Sequence, residues 1–199
     1  LLYLFFFASL GAMLPYWGLY LQALQFSAAE IGELMAILMA TKIVSPNVWG
    51  WIADRTGQPM RIVRLGALLA LLIFSGVLSV TGYWQLAAVM VAFSFFWNAI
   101  LPQIEAVTLA RLGTQPQRYS TIRLWGSIGF ILSVVILGAT FEHLDIQFLP
   151  YILLALISGI WLASLWVAEV PTSTLPSTHV SLRSVLGQPG IVALLFTCF

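Results

Sequence analysis

A glutamate, a lysine and an arginine stand inside stretches of this sequence that are otherwise apolar. Glu105 lies in LPQIEAVTLA, six residues before Arg111, which at ~1.5 Å rise per helical residue is about 9 Å inward from that charged end. Lys42 precedes Gly50 by eight residues, about 12 Å on the same measure and deeper than its side chain easily snorkels. Arg123 opens IRLWGSIGF. An unpaired lysine at the centre of a membrane costs about 2.5–3.5 kcal/mol on insertion scales, so partners are expected. Two arrangements are open: Lys42 pairs with Glu105 and leaves Arg123 for an anionic solute, or Glu105 pairs with Arg123. Burial favours the protonated form of a carboxyl group, and an adjacent cation favours the charged form. A carboxyl that alternates between those surroundings can carry a proton. The plainer alternative is a structural ion pair between helices.

The elements that position these groups follow from composition. Of the 199 residues, 61% are hydrophobic and only 8% charged, with a mean hydropathy of +1.00. That is too little charge to cover a water-soluble surface. The apolar residues fall in runs of about 20, the length that crosses a hydrocarbon core roughly 30 Å thick. Membrane barrels instead alternate apolar and polar over segments of about 10 residues. The chain is therefore predicted to be an all-α polytopic membrane protein. Spans are expected at Leu1–Leu24, Ala28–Ile52, Ile62–Val80, Trp84–Ala110, Ile122–Phe141 and Leu149–Ala168. Residues 1–168 form one bundle, 169–188 a linker rich in proline, serine and threonine, and 189–199 the start of a seventh helix. The run stops halfway through that helix, so a longer natural chain with a C-terminal half is expected.

Local signals refine this picture. SAAE at Ser27–Glu30 is a capping box that starts helix 2. Tyr83, Trp84, Trp49, Trp51, Trp125 and Trp166 fall near span ends, where aromatic belts sit. Arg55, Arg61 and Arg64 follow helix 2, Arg111 and Arg118 follow helix 4, and Arg183 follows helix 6, while the loops after helices 1, 3 and 5 hold no Lys or Arg. Positively charged loops stay in the cytoplasm, which predicts a multi-pass membrane protein with a cytoplasmic N-terminus; the membrane expected for it is the bacterial inner membrane. Pro15, Pro46 and Pro102 interrupt helices 1, 2 and 4, either as kinks or where water and neighbours satisfy freed carbonyls. Asn98 lies seven residues before Glu105 and is expected on the same face; Arg123, Ser127 and Phe130 share a face of helix 5, and Met13, Tyr16 and Tyr20 share one of helix 1. His143 and His179 are read as solvated loop residues.

Between helices 2 and 3 the sequence reads WGWIADRTGQPMR, with Gly50, Asp54, Arg55, Gly57 and Arg61. Gly50 would allow close helix packing and Gly57 a tight turn. The pattern resembles the loop 2–3 signature of the major facilitator superfamily, departing from it where Gln58-Pro59 replace two basic residues. The segments PQIEAVTLAR and IRLWGSIGF are similar to helices 4 and 5 of the lactose permease and 3-phenylpropionate transporter-like branch. The opening PYWGLYLQALQFSAAEIGELMAI resembles the first helices of the phenylpropionate-like group. The resemblance implies the N-terminal six-helix bundle of a 12-helix fold built from inverted 3+3 repeats. It implies too that Glu105 and Arg123, 18 residues apart and followed by Gly126 and Gly129, face each other and bind solute, with Phe130 in place of a stacking tryptophan. Asp54 and Arg55 then belong to a gate.

Other functions fit poorly. No H-E-x-x-H, phosphate-binding glycine loop or Ser/His/Asp arrangement is present, and the single Cys198 excludes an internal disulfide or multi-cysteine metal site. The arginines are spread among loops, so no nucleic-acid partner is expected. Rings of like charge or a repeated pore segment, expected of a channel, are missing. The expected function is a secondary active transporter in the lipid bilayer that moves a small organic solute (aromatic acid, sugar or nucleoside) by alternating access. It needs no cofactor beyond a coupling proton. The alternative is a passive uniporter or channel-like facilitator. The residues expected to bind solute or couple the proton are Glu105, Arg123, Lys42, Asn98, Tyr16, Phe130 and Ser127, and those of the gate are Gly50, Asp54, Arg55, Gly57 and Arg61.

Overall fold

The computed structural model describes residues 1–169, apart from Thr114 and Pro116; the predicted linker beyond Glu169 and the seventh helix lie outside the described residues. Six long helices account for nearly all of it: α1 (Leu2–Ala23), α2 (Ala28–Thr56), α3 (Pro59–Ser75), α4 (Tyr83–Leu112), α5 (Arg118–Phe141) and α6 (Leu149–Leu165). Their boundaries follow local chemistry. Ser27 Oγ accepts the Glu30 N–H at 3.3 Å while Glu30 accepts the Ser27 N–H at 2.8 Å, so the capping box is formed. Gly57 ends α2 in the left-handed region at φ 64°, which glycine reaches without steric cost. Pro59 then starts α3, where its fixed φ suits the first turn.

Six complete spans were expected, but five helices are both long and apolar enough to cross a membrane on composition alone. The exception is α2. Its 29 residues are ample in length, but Glu30, Glu33, Lys42, Asp54 and Arg55 dilute its apolar character. Within the bundle it is nonetheless a full-length member. Helix α6 also ends earlier than expected. Arg64 Nη2 donates to the Val167 carbonyl at 2.7 Å and Nε to that of Ser164 at 3.3 Å, and Arg111 donates to the Ala168 carbonyl. Side chains thus satisfy the last carbonyls. Glu169 Oε1 accepts the Met60 N–H at the start of α3, at 3.0 Å. These contacts bring Arg64 of α3 and Arg111 of α4 to the end of α6, on one side of the bundle, as the common placement of the arginine-bearing loops predicts.

The packing is pairwise and repeated. Helix α1 packs on α5 and α6, α4 packs on α2 and α3, and α3 packs on α6. Exchanging α1 with α4, α2 with α5 and α3 with α6 leaves that pattern unchanged. Individual contacts obey the same exchange. Ser45 of α2 donates to the Phe95 carbonyl of α4. Gly129 of α5 presses on the Leu4 carbonyl of α1, 91 residues earlier than Phe95. Gly66 of α3 lies under the Phe96 carbonyl, and Gly159 of α6 lies against the ring of Phe5, again 91 residues earlier. Helices that alternate in direction make α4 run opposite to α1, so the two three-helix repeats are inverted.

The core sits between α1, α3, α4 and α6. Trp17, Phe74, Phe93, Trp97 and Phe6 form a continuous aromatic column with ring centroids 4.8 to 5.7 Å apart. Helix α2 buries only Leu34, Leu38, Ser45 and Ala53, and α5 only Gly126, Gly129, Ser133 and Leu137. Both are flanking helices, each laid mainly on one neighbour, and their outer faces are open. A Cβ on Gly129 would stand 2.4 Å from the Leu4 carbonyl oxygen, and backbone cannot step aside. Gly129→Ala is therefore expected to destabilise the protein by about 1–3 kcal/mol, seen as a lower melting temperature in detergent. Gly32→Ala, where nothing lies within 4 Å, should not lower it.

Candidate functional site

Three helices bring the candidate residues together. On α4, Glu105 and Thr108 are one turn apart. On α5, Tyr119, Arg123 and Ser127 recur every four residues and so share a face. On α1, Tyr3, Phe7 and Leu10, four and three residues apart, also share one. Arg123 Nε lies 3.8 Å from Glu105 Oε1, the Tyr119 hydroxyl donates to the same oxygen at 3.2 Å, and the Arg123 guanidinium sits 3.8 Å above the ring of Phe7. Of the two pairings open to the sequence, the structure forms Glu105 with Arg123.

That pair is held loosely. Its side chains are 35% and 32% exposed, and ion pairs this open contribute about 0.2–1 kcal/mol. The contact with Phe7 adds roughly 0.5–1 kcal/mol. Such values are too small for a structural staple and suit groups that exchange partners. Beside them is a cavity of about 390 Å³ lined by Phe7, Leu10, Arg123, Ser127, Phe130 and Ile131, within the size range of small-ligand sites. It offers a cation, a hydroxyl and an aromatic wall.

The remaining expected residues are distributed elsewhere. Asn98 is 7% exposed and donates to the Thr41 hydroxyl at 2.9 Å. It sits in the seam between α4 and α2 rather than beside Glu105 and Arg123, because a buried amide takes the nearest partners and α2 supplies them. Tyr16 donates to the Val134 carbonyl at 2.6 Å and packs on Phe141, which fixes it in the α1–α5 seam. Lys42 is exposed on the open face of α2 and has no ion-pair partner among the described residues.

Among the gate residues, Gly57 makes the expected turn. Asp54 and Arg61 are exposed and without ion pairs among the described residues. Arg55 lies 4.1 Å over the ring of Trp51 on its own helix. Nothing lies within 4 Å of a Cβ built on Gly50, so the close packing expected there is not made by the described residues. The end contacts fall to Arg64, Arg111 and Glu169 instead. Sequence reasoning missed Tyr3, Phe7, Thr108 and Tyr119. The signal was available for Tyr119, four residues before Arg123 and therefore on its face. No comparable cue marked Tyr3, which is reached only through tertiary packing.

Comparison with known proteins adds a separate line. The family model described as MFS_1 like family matches residues 1–199. The chain is 31% identical over 167 residues to the maltose permease of Geobacillus stearothermophilus, covering 82% of this chain and 42% of that protein. It is 26% identical over 149 residues to the probable 3-phenylpropionic acid transporter of Escherichia coli (strain K12), covering 72% and 38%. Among solved structures, the nucleoside transporter NupG in its D323A form superposes with a TM-score of 0.83 at 23% identity, over 99% of this chain and 49% of that one. The chain spans less than half the length of the relatives it matches.

Proposed function

Since the chain belongs to the MFS_1 like family of the major facilitator superfamily, we propose that it is the N-terminal half of a secondary transporter working by alternating access with a C-terminal half. The observation that carries this reading is the loosely held Glu105–Arg123 pair beside an open cavity walled by Phe130 and Ser127. Around such a site, rocking of two bundles exposes solute to either side in turn. The arginine-bearing end would face the cytoplasm of a bacterium, following the positive-inside rule, and the open faces of α2 and α5 would meet the second bundle. Lys42 is then the cation available to Glu105 or to solute once that bundle covers the face.

The site suits a polar organic solute with a flat or ring-shaped body. The relatives' names span a sugar, an aromatic acid and nucleosides. Arg123 can donate to a hydroxyl or a carboxylate, but Glu105 accepts from hydroxyls and repels an anion. A sugar or nucleoside therefore fits better than an aromatic acid while Glu105 is charged. The coupling ion in this reading is a proton taken up by Glu105. The test is uptake of labelled maltose, uridine and 3-phenylpropionate into proteoliposomes holding the full-length protein, at several pH gradients. Uphill accumulation that grows with an inward proton gradient supports the reading. Downhill flux alone would favour a passive facilitator.

The gate residues act at the joint between halves in this proposal. Asp54→Asn is expected to slow transport severalfold while solute affinity changes little, since Asp54 lies apart from the cavity residues. Initial rates and equilibrium binding on the same preparation separate the two. Lost binding with normal turnover would count against a gating role.

A further inference from the structure

The exchange that relates the two repeats fails at one apolar place. Ser45 of α2 and Gly129 of α5 make equivalent contacts 84 residues apart, and the carbonyls they meet, of Phe95 and Leu4, are 91 apart. On those offsets Trp49 corresponds to Ser133, Ile52 to Ile136, Ala53 to Leu137 and Ala99 to Ala8. In the first repeat these positions fill their own space. The ring of Trp49 lies 5.9 and 5.7 Å from those of Phe95 and Phe96, and with Ile52 it packs on Ala53, Ile62 and Ala99. In the second repeat the counterparts enclose a void. Leu4, Ala8, Ser133, Ile136 and Leu137 line a cavity of about 260 Å³, with Leu156 of α6 as its further wall.

The geometry points to this groove between α5 and α6 as a binding site for a small flat aromatic molecule that bears a single polar group. The size fits, since an apolar cavity of about 150 Å³ stays dry and accepts benzene. The counterpart space in the first repeat holds an indole ring, so the frame shared by both repeats already accommodates one. Ser133 is the one polar side chain of the lining. It is 9% exposed, and its hydroxyl has no hydrogen-bond partner among the described residues. Buried hydroxyls are normally paired, and Ser9, Ser75, Ser94, Ser158 and Ser164 each donate to a carbonyl of their own helix. A ligand such as an indole or a phenol brings Ser133 the partner that its own helix does not. An acyl chain fills apolar volume but brings none. The solute cavity shares no lining residue with the groove and lies on the other flank of α5, with Arg123. Leu132 and Ile136 at the rim are exposed, so the ligand enters from the apolar surroundings of the bundle, apart from the solute.

The test irradiates the full-length protein in lipid vesicles with a photoreactive azidoindole, and mass spectrometry locates the labelled peptides. Labelling is expected in residues 129–137, and unlabelled indole at about ten times its Kd should lower it roughly tenfold by mass action. Ser133→Trp supplies the missing ring and should abolish the displaceable labelling. Trp49→Ser empties the equivalent space, so a second displaceable site should appear in residues 45–53. Ser133→Ala keeps the volume and removes the hydroxyl, which should weaken displacement by indole about twofold to tenfold, the equivalent of one hydrogen bond. Where Ser133→Trp does not fold, Ile136→Trp at the exposed rim takes its place, and displacement in the unaltered protein stands by itself. Labelling that indole does not displace, equal in the unaltered and blocked proteins, would be partition into the bilayer and would overturn the site. An unlabelled groove would overturn it too. A phospholipid retained by the unaltered protein and lost from the blocked variant would then name a lipid chain as the occupant, and its absence would name the second bundle. Displacement unchanged in Ser133→Ala would overturn the part given to the hydroxyl.

Discussion

Glu105→Gln is expected to abolish uphill accumulation while exchange and downhill flux persist. The amide keeps the shape of the side chain and can still accept from the Tyr119 hydroxyl, but it no longer titrates. Stability should hardly change, because the lost ion pair contributes about 0.2–1 kcal/mol at this exposure. If Glu105 only balanced a buried cation, the variant would express poorly and leave coupling intact in whatever survived. Neutralising Arg123 or Lys42 as well would then restore expression. Accumulation of solute against its gradient, measured as a function of external pH, distinguishes the two. Wild-type accumulation with wild-type pH dependence would end the coupling role.

Replacing Arg123 is expected to act on binding instead. Its guanidinium reaches the cavity beside Ser127 and Phe130, and hydrogen bonds from a charged donor contribute about 1.5–3 kcal/mol each. One such bond corresponds to roughly a tenfold to hundredfold change in Kd. Arg123→Gln should therefore weaken solute binding by at least that lower figure, and Arg123→Lys should recover part of it. A lysine restores charge but not the fork of donors or the flat stacking on Phe7. Equilibrium binding of labelled solute to detergent-solubilised protein reads this directly. Affinity unchanged in both variants would take Arg123 off the solute.

The scaffold was largely legible because its causes are local. The capping box at Ser27 and the turn glycine at Gly57 act within a few residues and appear where they were read, and the apolar runs mark all six helices, although α2 falls short on composition and α6 ends three residues early. Glu105 and Arg123 were legible for a related reason: a charge inside an apolar run has few bland explanations, and the resemblance supplied the partner. What escaped was decided by contacts between helices. Asn98 shares a helical face with Glu105 on paper, yet α2 covers one and leaves the other open. Tyr3 joins the site only because α1 lies on α5, and the end of α6 is met by arginines 54 and 101 residues before Leu165. Gly50 was expected to pack closely, and a Cβ built there meets no described residue within 4 Å.

The exchange that relates the two repeats also shows where they differ. By the 91-residue offset between Leu4 and Phe95, Glu105 corresponds to Leu14. By the 84-residue offset between Ser45 and Gly129, Arg123 corresponds to Met39. Leu14 and Met39 are uncovered, at 37% and 46% exposure, so the mirrored location is accessible yet carries no charge. The architecture is a near-palindrome, but the Glu105–Arg123 pair stands in its second repeat only, and the first repeat carries Lys42 one turn from Met39 in its place. An inverted pair of repeats taken alone has no preferred direction, since turning it over reproduces the same framework. Charge placed in one repeat breaks that equivalence and gives the half-molecule a head and a tail. A sequence carrying Glu at position 14 and Arg at position 39, with leucine and methionine at 105 and 123, would hold the same pair at the mirrored place on an unchanged frame.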